Sequence, residues 1–339
     1  MAYVNVMDQG ARGDGKTDDS NAILSAWKRV CGMEGPATLL IPSGKVFLVT
    51  RLQLSGPCKF TSVFIKFAGK IIPPTKDAWV GDTEGWMRIS YVNGLTIDGE
   101  GGIIDGLGSS WWPCKKSCQR PVALSFHACN NLVVNSLTMA NSPGAHISID
   151  DCNGATFSQM NITAPGNSPN TDGFDIATSK YITIQDSIIG TGDDCIAINS
   201  GSSYINATRV FCGPGHGISI GSLGKDGSYA TVEEVYVRNC SFIGTTNGAR
   251  IKTWPEKAVM VSEVTYRGFV GTSATDDAID LKCSTLGCFG ITFDNVQIVS
   301  SQPTKPAFAS CNNAHGTATN TVPKVTFEMK SETSRAKKT

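Results

Sequence analysis

The stretch Asn170-Thr-Asp172-Gly-Phe-Asp175-Ile176 returns in altered form as Gly192-Asp193-Asp194-Cys195-Ile-Ala-Ile198 and again as Gly215-His216-Gly217-Ile-Ser-Ile220. Asp172 to Asp194 is 22 residues, and Asp194 to His216 is 22 residues. Each of these three polar residues is followed by an apolar alternation that ends four residues on, at Ile176, Ile198 and Ile220. Alternation of this kind marks a strand with one face inward. A repeat of this length marks a solenoid, in which each unit buries its apolar face against its neighbours. Stacked in register, the copies line up two acids and a histidine on one face. Arg250-Ile-Lys252 follows them.

A second short-strand pattern recurs at Val92–Ile97, Asn131–Leu137, Lys180–Asp186, Val235–Cys240 and Gly290–Val296. Most copies carry Asn or Asp near their end, and Asn239 and Asn295 suit turns between sheets. At least two strands per coil, separated by turns, predict an all-β fold: a right-handed, single-stranded parallel β-helix. Gly13–Asp19 reads as a polar turn. Ser20–Val30 reads as a short amphipathic helix, with Ala22, Ile23, Ala26, Trp27 and Val30 at helical spacing, that caps the open first coil. Thr38–Ile41 and Val46–Thr50 read as strands, and Ser222–Thr231 as a loop. The pattern resumes at Val259–Val261, Val264–Tyr266 and Ala278–Leu281. The expectation is one β-helix domain over residues 1–325 and a disordered tail over 326–339, where Lys330–Thr339 is charged and polar.

Composition fits this reading. The chain has 339 residues, 40% of them hydrophobic, with 36 glycines and only 17% charged residues. A solenoid grows by stacking, so this length does not require several domains. The formal net charge is zero, which gives no reason to expect a nucleic acid or a membrane as partner. No run of 18 apolar residues is present. The 12 cysteines are many for a cytosolic protein and ordinary for a secreted one. Cys114 with Cys118 and Cys283 with Cys288 read as local staples. Neither pair joins a second Cys/His couple at zinc-finger spacing, so no metal is expected. Asn161-Ile-Thr, Asn206-Ala-Thr and Asn239-Cys-Ser are glycosylation sequons that lean toward secretion. Met1 leads directly into Tyr3-Val-Asn-Val6 without the features of a signal peptide. The expectation is an extracellular or cell-wall protein whose signal is absent from this sequence.

The chemistry follows from the acids. Hydrolysis of a glycosidic bond needs one carboxylic acid to protonate the leaving oxygen and a carboxylate to activate water or attack carbon. Asp193 and Asp194 are adjacent and would point to opposite faces of a strand. A bend at the strand entrance brings both to one cleft. Asp172 is one rung away, roughly 4.8 Å along the stack. Carboxylates this close cannot all ionise freely, so one keeps its proton to higher pH. His216, a rung further, can support the acid or bind a hydroxyl. Arg250 and Lys252 supply positive charge for an anionic sugar. Alone, each motif has a plainer reading: Asn170-Thr-Asp-Gly as a turn, Asp193-Asp194 as a solvated bend or calcium pair, Arg250 and Lys252 as a charged strand face. Their shared register favours a site. Asp175 fits a supporting role.

Asn170-Thr-Asp-Gly, Gly192-Asp-Asp-Cys, Gly215-His-Gly and Arg250-Ile-Lys together resemble the four signature motifs of the polygalacturonases. Gly10-Ala-Arg-Gly-Asp-Gly-Lys-Thr-Asp-Asp19 resembles the N-terminal pattern of plant members. The resemblance runs from Tyr3 to Gly316 and implies hydrolysis of α-1,4-galacturonosidic bonds in polygalacturonan and pectin, without a cofactor or metal and with inversion. It implies Asp193 as general acid, Asp172 and Asp194 as the pair that activates water, and His216 as support for the acid. It further implies that Asn170, Arg250 and Lys252 bind substrate. One rung is less than the roughly 6.5–9.5 Å usual for inverting enzymes, and the resemblance is followed here over the spacing. A single chain, a monomer, is expected to act alone on the oligosaccharide.

The sequence also departs from that family. Trp254-Pro255 runs straight into Glu256-Lys-Ala-Val259, which resembles a later coil. An internal segment with the family's site tyrosine is therefore missing, and so is the usual C-terminal closure after Val322-Pro-Lys-Val325. Competing readings are a truncated, inactive or weakly active β-helix that only binds pectin, a rhamnogalacturonan hydrolase, and a calcium-dependent lyase, which would need several acids around Ca²⁺.

Overall fold

The computed structural model describes residues 2–114, 118–254 and 259–327. They fall into two compact units, residues 2–114, 118–222 and 230–252 in one and residues 223–229, 253–254 and 259–327 in the other. The fold is the all-β right-handed parallel β-helix that the repeat predicts.

In the first unit one eight-stranded sheet takes its strands in chain order. They are Leu52–Ser55, Gly85–Ser90, Val122–His127, Ile147–Asp150, Phe174–Ala177, Ile196–Ile198, Ile218–Leu223 and Ala249–Thr253. Each coil thus adds one strand beside the last. Phe174 pairs with Ile196 and Ile196 with Ile218, both in parallel, so the 22-residue spacing is the structural register. Two further ladders stack in the same way. One runs from Ala2–Asn5 to Asn153–Ser158 and the other from Asp14–Asp18 to Asn161–Thr163; the 11-residue strand Lys180–Gly190 belongs to both. The bend between them is made by one residue per coil in left-handed conformation: Ser136 (φ 56°), Gln159 (φ 55°), Asp186 (φ 51°), Arg209 (φ 53°) and Asn239 (φ 53°). Of these the sequence pattern picked out Asn239. Non-glycine residues adopt this conformation rarely, and stacking the bend coil upon coil holds it in place.

The inward faces build the core. Ile182, Ile184 and Ile189 are fully buried, as are Ile196 and Ile198 on the neighbouring sheet. Each such side chain contributes about 1.5–3 kcal/mol on burial. Phe126, Phe157 and Phe174 meet edge to face at centroid distances of 5.8 and 5.1 Å. The predicted helix forms over Ser20–Cys31 and buries Ala22, Ile23, Ala26, Trp27 and Val30. Trp27 Nε1 donates to Ser55 O at 3.1 Å and ties the helix to the first strand of the eight-stranded sheet.

Gly13–Asp19 does not form the expected turn alone. Asp14–Asp18 is a strand paired with Val46–Leu48. Its edge position tolerates polar side chains, and Asp14 Oδ1 accepts from the backbone of Lys16 and Thr17. In the second unit the 13-residue strand Cys288–Ser300 pairs in parallel with Val261–Ser262, Thr265–Arg267, Val270–Ser273 and Ala314–Val322. This last strand carries the paired register to Thr321 and Val322. The unit has its own core around Ile291, Phe293 and Val296, on which Phe327 packs. The rejoined stretch at 255–258 and the tail from 328 onward lie outside the described residues.

Cys114–Cys118 and Cys283–Cys288 are bonded, as their spacing predicts. Cys31–Cys58 and Cys195–Cys212 are bonded as well, across separations of 27 and 17 residues that only the coil geometry brings together.

Candidate active site

The site is built at the entrances to three successive strands of the eight-stranded sheet. Residues 191–195 are not strand, so the chain bends there and both Asp193 and Asp194 reach the same cleft. The bend is held by backbone bonds between rungs: Gly173 N–H donates to Asp194 O at 2.9 Å, and Cys195 N–H to Gly217 O at 2.8 Å. Two glycines allow the close packing. A Cβ on Gly192 would come 2.0 Å from Ser168 O, and Gly217 sits at φ +78° with Asn247 O only 2.2 Å from where its Cβ would be. Both would force the coils apart.

The cleft has a volume of about 590 Å³, and Asp172, Asp175, Asp193 and Asp194 all line it. Asp194 is 1% exposed, and both of its oxygens are hydrogen-bonded. Its Oδ1 accepts from Arg250 Nη2 at 2.8 Å and from Ser219 Oγ at 2.7 Å, while its Oδ2 faces Lys252 Nζ at 2.7 Å. Burial alone would push this carboxyl up, but Lys252, Ser219 and Arg250 outweigh it and hold it below the usual carboxylate range. Asp172 is the opposite case. Burial, together with the charges of Asp193, Asp175 and Asp194, raises it well above that range. Asp175 is raised by burial too, against a hydrogen bond from Asn199. Environments that drive neighbouring carboxyls apart make one a proton holder and another a standing carboxylate.

Asp193 takes a third environment. Its Oδ1 lies 2.9 Å from His216 Nδ1, and its Oδ2 lies 3.5 Å from Asn170 Nδ2. The structure therefore brings together every residue singled out from the sequence: Asn170, Asp172, Asp193, Asp194, His216, Arg250 and Lys252. Four more were not anticipated as site residues. Ser219 is buried between Asp194 and Arg250 Nε. It pairs with Ala197, and Ala197 with Asp175, in the outward row of the sheet, so period-2 alternation could have located it. Asn199 closes on Asp175. Arg120 Nη2 donates to Asn170 Oδ1 at 2.5 Å from a coil fifty residues earlier, which no local pattern signals. His146 is fully buried, with its pKa lowered by burial to about 4. As a neutral ring it lies 3.1 Å from Asp172 O and fixes that backbone.

Ligand atoms of Asp193, Asp194 and His216 lie within 4.8 Å of one another. They are a poor cation cage. Both oxygens of Asp194 already face cationic groups, and Asp193 and His216 bond to each other.

The chain resembles known proteins along most of its length. The profile of glycosyl hydrolases family 28 matches residues 31–270 and 255–322. A probable polygalacturonase of Arabidopsis thaliana is 43% identical over 364 aligned positions, covering 94% of this chain and 79% of that protein. Polygalacturonase-2 of Solanum lycopersicum is 38% identical, covering 93% and 79%. The endo-xylogalacturonan hydrolase from Aspergillus tubingensis superposes with a TM-score of 0.78 at 27% identity, over 96% of this chain and 99% of that one. The 364 positions aligned to the Arabidopsis protein exceed the 339 residues of this chain, so that relative carries internal residues this chain lacks. The overlap of the two profile matches at 255–270 fits a junction there. Shared along nearly all of its length, profile and relatives together make the chain a member of the glycosyl hydrolases family 28.

Proposed function

We propose that the chain hydrolyses the α-1,4-galacturonosidic bonds of polygalacturonan in pectin. The observation that carries this reading is the joining of opposite charges in one cleft: four carboxyls in distinct environments, with Arg250 and Lys252 against Asp194. The acids supply the two roles that glycoside hydrolysis requires. The cations suit a substrate whose sugars are themselves acidic.

In this mechanism Asp193, backed by His216, protonates the leaving oxygen. Asp194, kept as a carboxylate, and Asp172 hold the water that attacks the anomeric carbon from the other side, with inversion. Arg250 and Lys252 orient a sugar carboxylate, and Asn170 contacts the sugar beside Asp193. No metal takes part in these steps. A second reading exchanges two roles. Because Asp172 is the carboxyl most strongly driven to hold a proton, it is the alternative acid. A substrate with an activated leaving group separates the two, because it needs no proton donor. Under the first reading it restores turnover to Asp193→Asn and not to Asp172→Asn; the reverse pattern assigns the acid to Asp172.

The four disulfides support an oxidising, extracellular setting, the cell wall among them. Reducing-sugar release from polygalacturonate tests the activity. Oligogalacturonate binding by a folded protein that releases no sugar would instead favour the binding-only form.

A further inference from the structure

We infer that Arg120 is a second carboxylate-recognition point of this cleft, placed across the acids from Arg250 and Lys252, where it takes the acidic sugar on the other side of the bond being cut. The inference rests on the hydrolase reading above and names a specificity determinant within it.

Arg120 and its neighbour Gln119 line the same cleft as the four carboxyls. Arg120 Nη2 donates to Asn170 Oδ1, and Asn170 Nδ2 faces Asp193 Oδ2. One amide thus joins the guanidinium to the acid that lies against His216. Arg120 stands at the root of a strand and not on a loose tip. The Cys114–Cys118 disulfide lies just before it, Val122–His127 begins just after it, and Gly144 N–H donates to Pro121 O at 3.1 Å. A Cβ on Gly144 would come 3.0 Å from Arg120 O, so the two segments are in close contact.

Strand order gives the direction. Val122–His127 and Phe174–Ala177 are separated by one strand, so Arg120 reaches about two rungs, roughly 10 Å, along the sheet toward Asn170. Ala249–Thr253 lies two strands beyond Ile196–Ile198, and Lys252 reaches back from there to Asp194. The two cationic groups converge on the acids from opposite ends of the sheet. A galacturonate polymer carries a carboxylate on every ring, so one chain laid across the acids meets a cation on each side of its scissile bond. A planar guanidinium fits a carboxylate better than it fits a neutral methyl ester.

The test is calorimetric binding of a galacturonate oligomer and of its fully methyl-esterified counterpart. It is done in the Asp193→Asn protein, where affinity is read without turnover, with Arg120 kept or replaced by Arg120→Gln or Arg120→Lys. Arg120→Gln should weaken the acidic oligomer about 10-fold or more and the ester less than about 2-fold, and Arg120→Lys should fall between. With Asp193 restored, Arg120→Gln should raise KM and leave kcat within about 3-fold. Equal losses for acid and ester, unchanged affinities, or a fall in kcat at constant KM would overturn the inference and leave Arg120 as a support for Asn170. Absence of sugar release from the parent protein would count against the hydrolase reading alone, because the binding comparison stands without it.

Discussion

Lys252 Nζ and Asp194 Oδ2 lie 2.7 Å apart, and on the other oxygen of the same carboxylate Arg250 Nη2 lies at 2.8 Å. A carboxylate only 1% exposed is held ionised by two cations that are themselves partly open to the cleft. Lys252→Met removes half of that compensation. It should cost about 1.5–3 kcal/mol of stability at neutral pH, the range for a hydrogen bond to a charged group. Asp194 is depressed in the folded state, so its contribution is present above the unfolded value near 4 and is lost as pH falls through its folded value. The gap between parent and variant should therefore narrow in acid. Thermal melts from pH 7 down to pH 3 measure it; a gap that widens in acid would contradict the assignment.

Asp172 has the opposite sign. Its folded pKa is raised, so below the unfolded value it carries no penalty, and stability falls as pH rises from there through the folded value. Asp172→Asn should then melt higher than the parent at neutral pH, with no gain below about pH 4. Activity should fall in the same variant. Gain of stability with loss of turnover marks a carboxyl kept for chemistry at the expense of the fold.

His216 and Asp193 share a 2.9 Å contact between two side chains that are both partly open to solvent. His216→Ala should lower kcat by about 10²-fold while the melting transition stays cooperative and close to that of the parent. Loss of the folded state in this variant would show that the histidine is structural first.

Cys195 follows Asp194 directly, and its disulfide to Cys212 ties the acid bend to the long strand Ser202–Cys212. Replacing both cysteines by serine should cost about 2–4 kcal/mol. Because the bond also anchors the bend, kcat should drop at temperatures where the variant is still fully folded. Unchanged kcat would show that the backbone bonds from Gly173 and to Gly217 hold the bend unaided.

Much of this molecule is legible in its sequence because a solenoid repeats its physics. Phe174, Ile196 and Ile218 are 22 residues apart and pair rung on rung, so a spacing in the chain became a register in the sheet. The same register announced Asp172, Asp194 and His216. What stayed hidden depends on contacts between coils. Arg120 reaches Asn170 across fifty residues, and Cys31 finds Cys58 because of where the coils lie, not through any local signal. Asp14–Asp18 was hidden for another reason: its strand is made at an edge from polar residues that read as a turn. That one carboxyl of the cluster would keep its proton could be read from their closeness, but not which one, since that follows from Lys252 and Arg250 meeting Asp194 while Asp172 is buried beside other acids.

One acid cluster, working without metal, is proposed to cut polygalacturonan. The direct measurement is reducing-sugar release from polygalacturonate in EDTA, with the parent protein beside Asp193→Asn. The parent should release sugar at an undiminished rate in EDTA, and the variant should fall by about 10²–10⁴-fold, the range for loss of a general acid. Release that needs a divalent cation, or an Asp193→Asn protein as active as its parent, would contradict it.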